Sequence, residues 1–401
     1  MSERVVIIGA SHAGVAVIET LRRKGFRGKL TLISEEKLPL YSPTTLPYLL
    51  NGRDREQLVL RPQAFFKDIE VIEARASAID EQRARVILTN GGKVRYGKLV
   101  VATGASPVVP FPAAPGATVF TVRKLSDVTR IGRKLKRNMA VLLVGAGLIG
   151  LHLGQVFLGR GQKLHLVELC EQLLPGLVHP ELAEEIRRRF VEKGAAVSLA
   201  TSIDRLDEHE AVLTDGSTIG FDFAVVAAGV RPNMEPLAGT AVETADGILV
   251  NQWMETNISA ILACGDVAEY RDFFTGVPRL NPNIMNAIEQ GRIAAGRLMG
   301  EEEPHPGVIS CVTCTCLDMT LFSVGRVMPD ENDHVFEDAD AGAHVYRRVI
   351  AHDGRLKGAV FCNTPVDHGL FYNLLKRKVP INGLEEKILK EPLQWAKVLI
   401  K

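Results

Sequence analysis

Two short apolar runs each end in a glycine-rich turn and reopen as a helix, and this repeated pattern limits what the chain can fold into more than any other feature. Val5-Val6-Ile7-Ile8 runs into Gly9-Ala10-Ser11-His12-Ala13-Gly14, and helical periodicity follows through Val15–Leu21. A second run, Leu30–Ile33, then ends at Ser34-Glu35. The plan recurs in Val141–Val144, Gly145-Ala146-Gly147-Leu148-Ile149-Gly150, a helix expected from Leu151, and the run Leu164–Val167 ending at Glu168. Continuous apolar runs of this kind read as parallel strands buried on both faces. Glycines let the backbone approach a pyrophosphate at a helix N-terminus, where unpaired N–H groups and the helix dipole favour negative charge. An acid about 20 residues further on can accept hydrogen bonds from a ribose 2′-hydroxyl. Gly9, Gly14 and Glu35, and again Gly145, Gly147, Gly150 and Glu168, occupy those positions. Ser11 replaces the middle glycine of the first turn and adds only a small side chain. A phosphate on the 2′ position would meet the charge of Glu168, which favours NAD over NADP. One glycine turn alone would be weak evidence; two, each between a strand and a helix and each followed by an acid, point to two dinucleotide-binding units.

Composition narrows the remaining possibilities. A chain of 401 residues accommodates roughly two to three domains. Its 46% apolar and 24% charged content is that of a packed globular protein. A net charge of +1 gives no reason to expect nucleic acid or an anionic membrane as partner. No apolar run reaches the roughly 18 residues that would cross a bilayer. Met1-Ser2-Glu3-Arg4 leads straight into the first strand without the apolar core of a signal peptide, so a cytoplasmic protein is expected. Six unevenly spread cysteines do not form the disulfide framework of a small secreted domain.

Further segments fit the same plan. Val100-Val101-Ala102-Thr103-Gly104 closes the first unit's sheet, Val225–Val230 with Arg231-Pro232-Asn233 closes the second, and Ile261-Leu262-Ala263-Cys264-Gly265-Asp266 returns to the first. In this order the chain resembles the pyridine nucleotide–disulfide oxidoreductase superfamily, in the branch of ferredoxin, rubredoxin and nitrite reductases and apoptosis-inducing factor. The resemblance implies an α/β protein with two Rossmann-like three-layer dinucleotide-binding domains and a small α+β C-terminal interface domain. The FAD domain would span 1–110 and 240–305, the NAD(H) domain 111–239, and the interface domain 306–401. Carried over residue by residue, Gly9, Ser11, Gly14 and Glu35 would hold the ADP half of FAD, His12 would be a further cofactor-binding residue, and Thr103 and Gly104 would pass close to the flavin-side phosphates or adenosine. Asp266 would bond the ribityl chain, Gly265 allowing the approach, and Thr44 would be a further cofactor-binding residue. Ala287-Ile288-Glu289-Gln290-Gly291-Arg292 resembles the helix whose positive end faces the flavin's pyrimidine edge. Gly145, Gly147, Ile149, Gly150 and Glu168 would hold NAD(H), with Gly229 near the nicotinamide half.

Leu40–Tyr48, Ala10–Ala13, Phe273-Phe274-Thr275-Gly276 and Met285-Asn286-Ala287 resemble a narrower group, the FAD subunits of phenylglyoxylate dehydrogenase and of tungsten aldehyde oxidoreductase complexes. Thiol-using members of the superfamily carry a redox cysteine where Thr44 stands here. A threonine hydroxyl forms neither a mixed disulfide nor a sulfenic acid, which closes that route. Pro43 replaces an arginine common in the reductase branch. His152 stands where many members have a glutamate near the nicotinamide; a carboxamide contact and a satisfied structural histidine are both open. Cys311, Cys314 and Cys316, with Cys362, carry metal-ligand chemistry, but the first three read as part of a strand in which Cys314 and Cys316 share a face and Cys311 points the other way. No metal is therefore expected. Glu184–Arg189 reads as a solvated helix face, and Arg133-Lys134-Leu135-Lys136-Arg137 as a basic helix end, open to reading as plain surface or as a dock for an acidic electron carrier.

These expectations add up to hydride transfer between nicotinamide and flavin, with no residue needed as acid or base for that step, and electron exchange with an iron–sulfur protein or subunit. The assembly expected is a hetero-oligomer or a homodimer. Three roles remain open: a FAD subunit of an aldehyde or 2-oxoacid oxidoreductase complex, a free-standing NADH:rubredoxin or ferredoxin reductase, and a FAD- and NAD-binding scaffold with little turnover.

Overall fold

The computed structural model describes residues 4–340 and 342–400, and the chain divides into two compact units. The first comprises residues 1–45, 54–106 and 230–309, and the second residues 46–53, 107–229 and 310–401.

In the first unit, strands Arg4–Ile8, Lys29–Ser34, Glu70–Glu73, Lys98–Val101 and Ile261–Ala263 form one parallel sheet. The order across it is 261–263, 98–101, 4–8, 29–34 and 70–73, so the chain reverses direction across the sheet beside the first strand. Val5, Val6 and Ile7 are wholly buried because apolar groups cover both faces. Burial of each such side chain contributes about 1.5–3 kcal/mol. Helices His12–Arg23 and Ile284–Leu298 pack together on one face. The approach is close at Gly291, where a Cβ would fall 2.5 Å from the Ala13 carbonyl oxygen.

The second unit repeats the design. Ala196–Ser198, Lys163–Val167, Ala140–Val144, Phe223–Val226 and Val119–Thr121 pair in that order, all parallel. The helix after the second glycine turn is Leu148–Gly159, beginning three residues ahead of the expected Leu151, so Ile149 and Gly150 lie in its first turn. Gly147 is the extended N-cap, so Leu148, Ile149 and Gly150, the last residues of the glycine motif, already form the helix's first turn. Glu184–Arg189 lies on helix Pro180–Glu192, where Arg187 pairs with Glu184 at 2.7 Å and Arg188 with Glu185 at 2.8 Å.

Within the same unit, Cys311–Cys316, Met319–Gly325, Arg355–Cys362, Val345–His352 and His334–Asp340 form an antiparallel sheet in that order, backed by helix His368–Lys376. Gln155 of the second glycine-turn helix holds this sheet. Its Nε2 donates to the Thr315 carbonyl at 3.1 Å, and its Oε1 accepts from the Leu317 N–H at 2.8 Å. No helix among the described residues is long and apolar enough to cross a membrane.

Candidate cofactor sites

The first glycine turn is shaped by contacts that no larger residue permits. Gly9 has φ +109°, and a Cβ there would lie 2.0 Å from the Ala102 carbonyl oxygen; at Gly14 it would lie 2.0 Å from the Gly9 oxygen. Gly9 N–H bonds to the Ile33 carbonyl at 2.9 Å, which sets the turn against the strand that leads to the exposed Glu35. Ser11 is the N-cap of helix His12–Arg23, and no side chain caps that helix. An uncapped, dipole-positive helix end behind a flat glycine turn is the cradle a pyrophosphate requires.

The other candidates of this unit converge on the turn. Gly265 has φ +81°, and its Cβ would meet the Ala13 Cβ at 2.9 Å and the Ala287 Cβ at 3.9 Å. Its N–H donates to Oε1 of the buried Gln290 at 2.8 Å, with Asp266 next along the chain. Thr103 and Gly104 are pinned by Asn233: the Thr103 hydroxyl donates to its carbonyl at 2.8 Å, and the Asn233 backbone N–H donates to the Gly104 carbonyl at 2.9 Å. Thr44 sits in the turn Pro43–Thr45, its hydroxyl 2.9 Å from that of Ser42, which lies 3.3 Å from His12 Nε2.

Asn286 escaped the sequence analysis. It lies in the first turn of helix Ile284–Leu298, beside Ala287, and is 2% exposed. Its amide donates to the Asn281 carbonyl at 3.1 Å, but its Oδ1 is buried without a hydrogen-bond partner. A buried acceptor without a donor costs about 1–3 kcal/mol. A flavin ring edge with an N–H would satisfy it, so the residues present fit FAD. The only signal in the sequence was its place in the segment Met285-Asn286-Ala287.

The second turn matches the first. Gly145 has φ +101° and would clash with the Ala227 carbonyl oxygen at 2.4 Å, and Gly150 with the Gly145 oxygen at 1.9 Å. A Cβ on Gly147 would meet nothing within 4 Å: it faces open space at the uncapped N-terminus of Leu148–Gly159. Glu168 is buried, its Oε2 accepting from the Ala146 N–H at 2.6 Å and its Oε1 from the Cys170 N–H at 2.9 Å. The carboxylate is thereby aligned with the glycine loop. Gly229, with φ +104°, follows the strand end that touches Gly145.

His152 lies two residues beyond Gly150. Both of its ring nitrogens are buried without hydrogen-bond partners, so the satisfied structural histidine is not what the structure shows. Burial lowers its pKa and keeps it neutral. Its ring lies 5.7 Å from that of Tyr48, over which Arg53 places its guanidinium at 4.5 Å. A neutral imidazole lacking a protein partner can accept from, or donate to, a carboxamide.

Cys311, Cys314 and Cys316 occupy one edge strand as expected from their spacing. Burial pushes Cys311 up to about 11 and Cys314 and Cys362 up to about 12, with Cys316 raised as well. Such thiols are poor nucleophiles. Among the described residues no three His, Cys, Asp or Glu side chains are placed to hold a metal ion.

Known proteins similar to this chain fall in one family. The family described as pyridine nucleotide-disulphide oxidoreductase matches residues 3–291, and the rubredoxin NAD+ reductase C-terminal domain matches residues 313–378. The epsilon subunit of NADH-dependent phenylglyoxylate dehydrogenase from Aromatoleum evansii is 30% identical, over 97% of this chain and 95% of that protein. Rubredoxin-NAD(+) reductase of Pseudomonas putida is 29% identical over 75% of this chain and 81% of its own. A crystallised ferredoxin reductase from Rhodopseudomonas palustris superposes with a TM-score of 0.90 at 28% identity, covering 99% of this chain and 100% of that one.

Proposed function

The chain belongs to the pyridine nucleotide-disulphide oxidoreductase family and is an FAD-dependent NAD(H) oxidoreductase of the ferredoxin and rubredoxin reductase type, and from this premise we propose that it serves as the FAD subunit of a larger complex. In this reading it exchanges electrons between NAD(H) and an iron–sulfur subunit, within an aldehyde or 2-oxoacid oxidoreductase. The observation that carries it is the likeness to the phenylglyoxylate dehydrogenase subunit, which extends over almost the whole of both chains. The second reading, a free-standing reductase of a rubredoxin or ferredoxin, is supported by the reductases similar to this chain.

Gly9, Ser11, His12, Gly14 and Glu35, with Thr103 and Gly104, would hold the adenine and pyrophosphate half of FAD. Gly265, Asp266, Thr44, Ala287 and Asn286 would hold its ribityl and ring end. Gly145, Gly147, Ile149, Gly150 and Glu168 would hold NAD(H), with Gly229 and His152 toward the nicotinamide. FAD supplies a two-electron acceptor that can release electrons singly. The chain's own work is to position, to exclude water, and to present donors: the uncapped helix ends would meet phosphates, Glu168 a ribose, and the helix end that carries the buried Asn286 would favour charge on a reduced ring.

An anaerobic titration of the purified chain with NADH and then NADPH, followed at the flavin absorbance, tests this. Rapid bleaching by NADH with a weak response to NADPH is the expected outcome; a flavin that stays oxidised would overturn the enzyme reading for the isolated chain. Affinity purification from the native host separates the two roles. Stoichiometric iron–sulfur and metal-containing subunits would mark a complex, and a lone chain that rapidly reduces small iron–sulfur carriers would mark a free reductase.

A further inference from the structure

Between Asp127 and Glu168 the chain has seven arginines and lysines and no acid. Five fall within 130–137, at the end of helix Leu125–Lys134 and just beyond it, and Arg160 and Lys163 complete the set. Folding gathers them at one end of the second unit's parallel sheet. The Lys163 N–H donates to the Met139 carbonyl at 2.9 Å, the Met139 N–H to Gln162 Oε1 at 3.0 Å, and the Gln162 amide to the Arg160 carbonyl at 3.1 Å. Ala140 and Lys163 begin paired strands of five residues whose far ends lead into the second glycine turn and Glu168, so the basic end lies about 16 Å from the nucleotide end. Arg133, Lys136, Arg137 and Lys163 are exposed, and none of the seven forms an ion pair among the described residues. Asp222, at the same end, accepts from the Ala140 N–H at 2.7 Å. The helix dipole accounts for Arg133 and Lys134 in the last turn, but not for Lys136, Arg137 and Lys163. No large apolar side chain is exposed from 110 to 168, so this surface offers charge without the apolar anchor a lipid surface takes or the stacking platform of a single nucleic-acid strand.

The same unit carries the opposite charge on its antiparallel sheet. Residues 330–340 hold six acids and no arginine or lysine. Asp330 and Asp333 pair with Lys357 at 2.6 and 2.8 Å, Glu337 with Arg348 at 3.0 Å, and Asp338 with Arg347. Glu331 and Asp340 are exposed and form no ion pair among the described residues. Strand His334–Asp340 is the last of its sheet, and its outer edge pairs with no other strand among the described residues. Charge on such an edge keeps other backbones from pairing with it, which fits a contact made by side chains. We propose that these two surfaces bind one another between two copies of the chain, the basic end of each on the acidic edge of the other. The partner is a second copy because one chain holds both charges, with no ion pair joining them. A two-fold axis makes the contact twice and closes it. The nucleotide turns, at the other end of the parallel sheet, stay open. A contact of this kind is steered by charge and weakened by salt.

Sedimentation of the purified chain tests this at salt of about 10 mM, where charges act over roughly 30 Å, and of about 1 M, where they act over roughly 3 Å. The mass should double at low salt and return to that of one chain at high salt. Arg133→Glu/Lys136→Glu/Arg137→Glu and Glu331→Lys/Asp340→Lys should each weaken association about a hundredfold, because several pairs turn from attraction to repulsion at once. An equal mixture of the two variants should associate again, since the reversed end of one meets the reversed edge of the other. Thermal unfolding and flavin content separate lost association from lost folding, and Lys136→Glu, beyond the helix, is the milder variant should the triple change disturb the fold. A wild type with the mass of one chain at low salt would overturn the proposal, as would association that salt leaves unchanged or a mixture that stays apart. Retention on duplex DNA or on phosphatidylglycerol vesicles, lost with the basic-end variant in a chain that stays single, would give the surface to a polyanion instead.

Discussion

Glu168 is committed before any nucleotide arrives, because the Ala146 and Cys170 N–H groups already bond its two oxygens. The side chain therefore shapes the glycine loop, in addition to the ribose contact proposed for it. Glu168→Gln keeps the shape but loses the charge and one strong acceptor; it should weaken NADH binding about tenfold and narrow the preference over NADPH, as read from paired flavin-reduction titrations. His152 makes a different prediction. His152→Leu should weaken NAD+ binding about tenfold while leaving ADP-ribose, which lacks the nicotinamide, within about twofold. An acetylpyridine analogue, which lacks the amide NH2, should lose less than NAD+ does. Equal weakening of all three ligands in a calorimeter would make His152 a packing residue. Spacing alone pointed to Glu168, and the family resemblance to the position of His152. The two empty ring nitrogens were not, since a lack of partners belongs to the packed structure.

At the scale of elements, the glycine turns divide into crowded and open positions. Gly150→Ala places a Cβ against the Gly145 carbonyl and should destabilise the protein by about 2 kcal/mol or more and abolish NADH oxidation, with thermal unfolding and flavin content measured together. Gly147→Ala meets nothing in the protein, so stability should hold within about 1 kcal/mol while NADH binding weakens if the open space takes the nucleotide as proposed. Helix Pro180–Glu192 carries a pH prediction. His179, its N-cap, is fully buried against the Tyr346 ring at 4.3 Å, and burial with the nearby Arg348 lowers its pKa to about 4. The unfolded chain then binds the proton more readily than the folded one. Stability should be full above about pH 6.5 and decline as the pH falls toward about 4, by up to about 3 kcal/mol, in urea titrations across that range. His179→Phe should flatten that slope.

For the whole molecule, thiol chemistry gives a simple check. Of the six cysteines, Cys170 is exposed and the other five are buried. One thiol per native chain should react promptly with a chromogenic disulfide reagent, and six after unfolding; rapid reaction of three or four would show the Cys311–Cys316 strand to be accessible. The sequence by itself determined the two dinucleotide units. A glycine whose Cβ would overlap a carbonyl, a buried β-branched strand and an acid at a set distance are local demands, written in consecutive residues. Tertiary structure alone decided what depends on distant segments meeting. Asn233 pins Thr103 and Gly104 across more than a hundred residues, Ser42 bridges His12 and Thr44, and Gln290 seats Gly265. Whether a polar atom finds a partner, as Ser42 does and Asn286 Oδ1 and His152 do not, is fixed by packing, because hydrogen bonding is satisfied in space and not along the chain.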